Sequence, residues 1–94
     1  MHAMAIGIDA SASGTEGIAI GKAAISTGAT SIAIGKKSSA VGSTSIAMGH
    51  NASTAGANAF SIGNYTEGAG TAVALGHYAM ATASQGVALG ASAK

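Results

Sequence analysis

The sequence has no cysteine, tryptophan or arginine, and its only aromatic residues are Phe60, Tyr65 and Tyr78. The absence of cysteine excludes disulfides and cysteine-based metal clusters. Core-forming side chains are also scarce. A buried large aliphatic side chain contributes roughly 1.5–3 kcal/mol, and the methyl group of alanine contributes far less. A single chain of 94 residues with 15 glycines is therefore expected to be marginally stable alone, so further copies of the chain are the expected source of buried surface.

Charge is scarce as well. Four lysines face three acidic residues, for a net charge of +1, too little for a groove that binds nucleic acid. No apolar run reaches the roughly 18 residues of a membrane span, and the opening residues do not resemble a signal peptide. Residues 1–3 are expected to be a short leader left by expression. The last residues, 91–94, stop halfway through a repeat, so residues 4–94 are expected to be a piece of a longer chain.

One short string, an aliphatic pair around a small residue and followed by glycine, recurs along the whole chain. Its closing glycines are spaced by fourteen residues, with one step of thirteen. A fixed period this short indicates a stack of similar units rather than a globular domain. The closing glycines are Gly7, Gly21, Gly35, Gly49, Gly63, Gly76 and Gly90.

Each unit is predicted to contain two strands of about five residues. The first is the glycine-closed string; in the second, the third and fifth residues after the glycine are small, as in Ala24 and Ser26. Period-two alternation is typical of strands, and regular glycines exclude a helix. The prediction is an all-β parallel solenoid of about fourteen residues per coil. About six and a half coils, ~4.8 Å apart, give a stack roughly 30 Å tall.

Orientation is predicted from the same alternation. The aliphatic pair is expected to face inward against the small residues, with Phe60 accommodated by Gly68. The residue between the aliphatics is then expected to face outward. It is small in every coil, which indicates close approach by a second copy of the chain about an axis parallel to the stack. The interface is therefore expected at Ala5, Ala19, Ala33, Ala47, Ser61, Ala74 and Ala88.

The strings Ser31-Ile32-Ala33-Ile34-Gly35 and Ser45-Ile46-Ala47-Met48-Gly49 resemble the head repeats of YadA-like trimeric autotransporter adhesins. The resemblance covers residues 4–94. It implies a left-handed parallel β-roll in a side-by-side homotrimer, carried on a coiled-coil stalk with a C-terminal membrane anchor. It also implies a non-enzymatic head without cofactors, exposed on the surface of a Gram-negative bacterium and attached to host matrix proteins or cells. The alternative is a structural spacer that contacts no ligand.

Two sets of side chains are candidates for ligand contact. Tyr65 and Tyr78 hold the second position after their closing glycines and are expected side by side on adjacent coils. Lys22, Lys36 and Lys37 form a basic strip two coils away. Exposed aromatic residues beside lysines are typical of interfaces, although stacked tyrosines also stabilise sheets.

Other functions find less support. Hexapeptide-repeat acyltransferases have about eighteen residues per coil, ice-binding solenoids need a threonine column, and calcium-binding β-rolls need repeated aspartates. His50 and His77 are expected two coils apart, too far for one metal ion. The sequence predicts no catalytic or metal site.

Overall fold

The computed structural model describes residues 3–81 and 85–92. Residues 1 and 2 of the expected leader, Ala83 and Lys94 lie outside this range. Thirteen strands follow one another in the described part, alternately three and two residues long, so they are shorter than predicted. The strands are β1 Met4–Ile6, β2 Ser11–Ala12, β3 Ile18–Ile20, β4 Ile25–Ser26, β5 Ile32–Ile34, β6 Ser39–Ala40, β7 Ile46–Met48, β8 Ser53–Thr54, β9 Phe60–Ile62, β10 Glu67–Gly68, β11 Val73–Leu75, β12 Met80–Ala81 and β13 Val87–Leu89.

The strands form two parallel sheets, which confirms the predicted all-β solenoid. The odd-numbered strands make a first sheet of seven and the even-numbered strands a second sheet of six, each in stacking order. Each residue pairs with its equivalent one coil later, as Ala19 does with Ala33. The stack measures 34 × 21 × 11 Å. No helix occurs in the described residues, and hence none that could span a membrane.

The interior of the solenoid is filled by small side chains. Ala33, Ala40, Ala47 and Ala52 form one buried cluster, each with no exposed surface. Serine and threonine occupy equivalent places elsewhere, including Ser26 and the inward-facing Thr66. The prediction that the third and fifth residues after each glycine face inward is therefore confirmed for the coils at the centre of the stack.

The orientation predicted for the first strand is wrong. In β5 the middle residue, Ala33, is fully buried within its own chain, and Ile32 and Ile34 are only half-buried. The sheets lie too close together for isoleucine between them, so alanine faces inward and the aliphatic pair faces outward. The argument that placed the middle residues at a chain–chain interface therefore fails. Ser61 and the alanines at 19, 33, 47, 74 and 88 are buried inside the roll, and only Ala5, in the first coil, is exposed.

Gly68 does make room for a larger side chain opposite it, as predicted, but that side chain belongs to Ser61 and not to Phe60. Phe60 lies on the outward side of β9, half-buried, and Ser61 points inward. A Cβ atom on Gly68 would lie 3.2 Å from the Ser61 hydroxyl oxygen. Where the middle residue gains a hydroxyl group, the opposing residue loses its methyl group, as a close-packed interior requires.

Two corners join the sheets in every coil. We call the residues after each closing glycine the first corner, and residues 14–17, 28–31, 42–45, 56–59 and 69–72 the second. Buried serines brace both, since Ser31 Oγ donates to the Gly28 carbonyl (2.7 Å) and Ser38 Oγ to that of Gly35 (2.9 Å). Glycine is required because coils approach closely: a Cβ on Gly21 would lie 2.7 Å from the Gly35 carbonyl oxygen.

The second corner carries hydrogen bonds from coil to coil. Thr30 N–H donates to the Thr15 carbonyl (2.8 Å), Thr44 to Ala29 (2.8 Å) and Asn58 to Ser43 (2.9 Å). The coil of thirteen residues interrupts the series. It turns through Gly70, with φ of +63°, and within the described residues no equivalent bond joins Thr71 to Ala57.

Candidate binding surfaces

The outward side of the first sheet is a continuous hydrophobic stripe, which we call the apolar face. It is two residues wide and extends over all seven strands of the sheet. Its residues are half-buried in the central coils, and Ile6 and Val87 in the outer coils are 54% and 64% exposed. Continuous apolar stripes of this length on a soluble protein mark interaction sites. The face consists of Met4, Ile6, Ile18, Ile20, Ile32, Ile34, Ile46, Met48, Phe60, Ile62, Val73, Leu75, Val87 and Leu89.

The first corner concentrates the side chains with binding chemistry, and we call it the corner ridge. Its backbone is tied from coil to coil, because the second residue of each corner donates its N–H to the first residue of the preceding one. The bonds from Lys37 to Lys22 and from Tyr65 to His50 measure 2.9 and 2.8 Å. The ridge is therefore a rigid extension of the sheets. It consists of Ile8, Asp9, Lys22, Ala23, Lys36, Lys37, His50, Asn51, Asn64, Tyr65, His77, Tyr78, Ala91 and Ser92.

The second residue of each corner has a left-handed backbone. Tyr65 and Tyr78 have φ of 60° and 61°, and Ala23 and Lys37 have φ of 60° and 62°. A positive φ at the third position of a four-residue turn defines a type II turn, which prefers glycine or asparagine there. Because alanine and tyrosine share this conformation, the strain belongs to the repeating turn and not to a particular site.

Four rings, two from tyrosine and two from histidine, contact one another along the ridge. Tyr65 and Tyr78 lie parallel, with centroids 5.1 Å apart and planes within 2°, which confirms that they sit side by side on adjacent coils. His50 meets the edge of Tyr65 at 5.5 Å, and His77 lies 4.3 Å from Tyr78. The tyrosines stay 43% and 47% exposed, as predicted. The histidines were considered above only as metal ligands, and their contact with the tyrosines was not predicted. Their shared position directly after the closing glycine could have indicated it.

Side-chain amides hold one imidazole in place. The Asn64 Nδ2 atom lies 3.2 Å from Nδ1 of His50, and the Asn51 Nδ2 atom lies 3.3 Å from its Nε2. Asn64 Nδ2 also donates to the His50 carbonyl oxygen (3.4 Å). These contacts connect neighbouring coils through side chains as well as backbone. A neutral imidazole has one acceptor nitrogen, so only one of the two amides can donate to the ring at a time, whereas the bond from Asn64 to the His50 carbonyl does not depend on the tautomer.

The lysines occupy the same ridge in the second and third coils. Lys22, Lys36 and Lys37 are all exposed. The acidic residues are dispersed: Asp9 lies on the ridge in the first coil, Glu16 on the second corner and Glu67 on the outward side of the second sheet. From Lys22 to Tyr78 the ridge is therefore free of carboxylates. The structure places all five predicted ligand-contact residues along one edge of the stack.

Comparison with protein families identifies this architecture. The model of the YadA head domain repeat matches residues 2–24, 12–38, 40–66 and 69–93, nearly the whole chain. The chain belongs to the YadA head family. The family resemblance drawn from the repeats is thereby confirmed. No curated protein matches the chain.

Membership of the YadA head family implies a general function. YadA heads are non-enzymatic modules of trimeric autotransporter adhesins, which are surface proteins anchored in the outer membrane. An adhesin-type role follows for this YadA head from its family, and the family suggests assembly as a homotrimer. The surface of its described residues has no enclosed pocket, so any contact with a partner must use exposed edges and faces.

Proposed function

We propose that this chain is the trimeric head segment of a surface adhesin that attaches a Gram-negative bacterium to host matrix proteins or host cells. The observation that carries the proposal is the apolar face. A chain with an interior of alanine, serine and threonine leaves its isoleucine, valine, leucine and methionine side chains outside, where water meets them. Covering that face supplies the buried surface that the interior lacks.

Three copies around an axis parallel to the stack would cover the apolar faces mutually. Every strand of the first sheet presents two hydrophobic side chains, and they pair in register from coil to coil. Rotation about a parallel axis therefore brings equivalent coils together at the same height. This assembly replaces the interface first assigned to the middle residues of the odd strands.

Solution mass tests the assembly. The head is expected to sediment as a three-chain species at concentrations where it is folded by circular dichroism. Ile34→Glu with Ile46→Glu places three pairs of charges at the axis and is expected to abolish the trimer. Ser39→Glu with Ser53→Glu, on the outward side of the second sheet in the same coils, is the matched control and is expected to leave the mass unchanged. A wild-type chain that stays folded as a monomer would overturn the proposal.

Attachment is tested separately. Beads coated with the trimer are expected to bind cultured host cells and immobilised matrix proteins more than beads coated with an unrelated trimer. The corner ridge is the proposed contact surface, through Lys22, Lys36, Lys37, Tyr65 and Tyr78. A trimer that binds neither cells nor matrix would favour the alternative function, a rigid spacer that carries other segments away from the cell.

A further inference from the structure

We infer that the corner ridge is a binding site for linear sulfated polysaccharide, which would lie along the ridge parallel to the stack. This inference rests on the proposed attachment function and names the chemical class of its ligand. It is carried by three features of the ridge: its charge, its hydrogen-bonding groups and its repeat. The lysines and tyrosines that supply these features are exposed, Asn51 and Asn64 are half-buried, and all lie on a backbone bonded from coil to coil.

The ridge is positively charged in its second and third coils and has no charged side chain in the three coils that follow. Lys22, Lys36 and Lys37 lie in two consecutive coils, and the corners from Lys22 to Tyr78 carry no acidic residue. The chain as a whole has a net charge of only +1, so this concentration is local. Three chains in a trimer would carry nine such lysines. A polyanion gains affinity from such a strip by releasing condensed counterions, a term that weakens steeply with salt.

The neutral part of the ridge continues the same chemistry. Beyond the lysines it offers a second N–H of the Asn51 amide and the exposed hydroxyl groups of Tyr65 and Tyr78, which can donate hydrogen bonds, whereas the Asn64 amide already contacts His50. Sulfate and sugar hydroxyl oxygens accept such bonds. The tyrosine pair is pre-stacked at 5.1 Å, so little side-chain freedom is lost on binding.

The ridge favours a polysaccharide over a nucleic acid. Nucleic-acid sites rely heavily on arginine and on aromatic residues that accept bases between or upon their rings. This chain has no arginine. Its two tyrosines cover one face of each other, and His77 lies against Tyr78. A regular row of donors, one corner every ~4.8 Å, instead suits a flexible chain with anionic groups at short intervals.

The test uses the intact head and heparin as the probe. Lys22→Gln, Lys36→Gln and Lys37→Gln together are expected to weaken heparin binding about ten-fold to a hundred-fold near physiological salt, since three exposed charge contacts are lost. The plot of log affinity against log salt should also become shallower. Asp9→Asn removes the one carboxylate of the ridge and is expected to strengthen binding.

A matched control changes the net charge equally on the opposite edge. Thr15→Glu, Ala29→Glu and Ser43→Glu lie at exposed positions of the second corner, in the first three coils. They should leave most of the binding intact, and the mass of every variant should be unchanged. Equal losses of heparin affinity in the two triple variants would show that only the net charge matters and would overturn the inference.

Other probes separate the ligand classes. Dextran, which is neutral, and hyaluronan, which carries carboxylates but no sulfates, should bind at least ten-fold more weakly than heparin. Single-stranded DNA that binds as tightly as heparin would overturn the preference for sulfated sugar. Cell attachment that persists after the three lysine substitutions, with heparin binding lost, would remove the polysaccharide as the ligand and leave the attachment function standing.

Discussion

The contact between Gly68 and Ser61 allows the packing of the interior to be tested with one added methyl group. A Cβ on Gly68 would lie 3.2 Å from the Ser61 hydroxyl and 3.5 Å from the carbonyl oxygens of Ala72 and Phe60. Overpacking a close-packed interior costs about 1–3 kcal/mol, and replacing glycine by alanine returns about 0.4–1 kcal/mol of chain entropy. Gly68→Ala is therefore expected to lower the free energy of unfolding by about 1 kcal/mol.

The same methyl group should be harmless once the hydroxyl is gone. Ser61→Ala alone loses the hydrogen bond from Ser61 Oγ to the Ser53 carbonyl (3.0 Å), worth about 1 kcal/mol. The double variant has alanine at both places, as the third coil has naturally with Ala33 and Ala40, both fully buried. Adding Gly68→Ala to Ser61→Ala should then stabilise the protein, so the two changes should couple by about 1–2 kcal/mol.

Guanidinium denaturation followed by circular dichroism measures all four proteins. Chain concentration must be held constant, because assembly contributes to the apparent stability. Ser26→Ala, three coils away, is the reference partner: its effect should add to that of Gly68→Ala within about 0.5 kcal/mol. Additive effects for Ser61→Ala as well would refute the volume compensation.

Three further substitutions test the interior and the coil spacing. Ala33→Leu should lower the free energy of unfolding by about 3 kcal/mol or more in denaturant titrations, and unchanged stability would contradict its burial. Gly42→Ala, the Cβ of which would overlap the Gly56 carbonyl, should lower the melting temperature more than Gly90→Ala, which meets no atom within 4 Å and costs only the backbone strain of a side chain at φ +108°. Thr54→Val should be neutral or stabilise by about 1 kcal/mol, because the buried Thr54 Oγ1 has no hydrogen-bond partner in the described residues.

The repeat period predicted more of the fold than the residue types did. Period and alternation were enough to predict the parallel sheets, the register and the adjacency of Tyr65 and Tyr78. Alternation also shows that Ala33 and Ile34 face opposite sides, but it does not show which side is inside. The larger aliphatic residue was assigned to the core because burying apolar area drives folding. In this fold that apolar area lies on the outside of the roll.

The backbone conformation of the first corner could not be predicted from its residue types either. Type II turns normally place glycine or asparagine at the third position; Asn51 fits this preference, but Ala23, Lys37 and Tyr65 occupy the same position in other coils. Alanine, lysine and tyrosine give no indication of a positive φ. The conformation is imposed by the coil, because the N–H group at this position must reach the carbonyl of the preceding coil, as Tyr65 does at 2.8 Å from His50. By fixing the backbone at this position, that bond also fixes the direction in which the side chain leaves the ridge.

The interrupted series of bonds at the second corner has a mechanical consequence. Hydrogen bonds between coils point along the stack, so a pull on its ends loads each coil-to-coil junction in turn, and all bonds within one junction share the tension. The junction between the coils that contain Ala57 and Thr71 lacks the corner bond that joins Asn58 to Ser43 one coil earlier. It therefore bears the same load with one bond fewer than the junction one coil earlier, and of these two it is expected to open first. A surface filament held against flow would then yield beyond its fourth coil before the regular coils that precede this junction unwound.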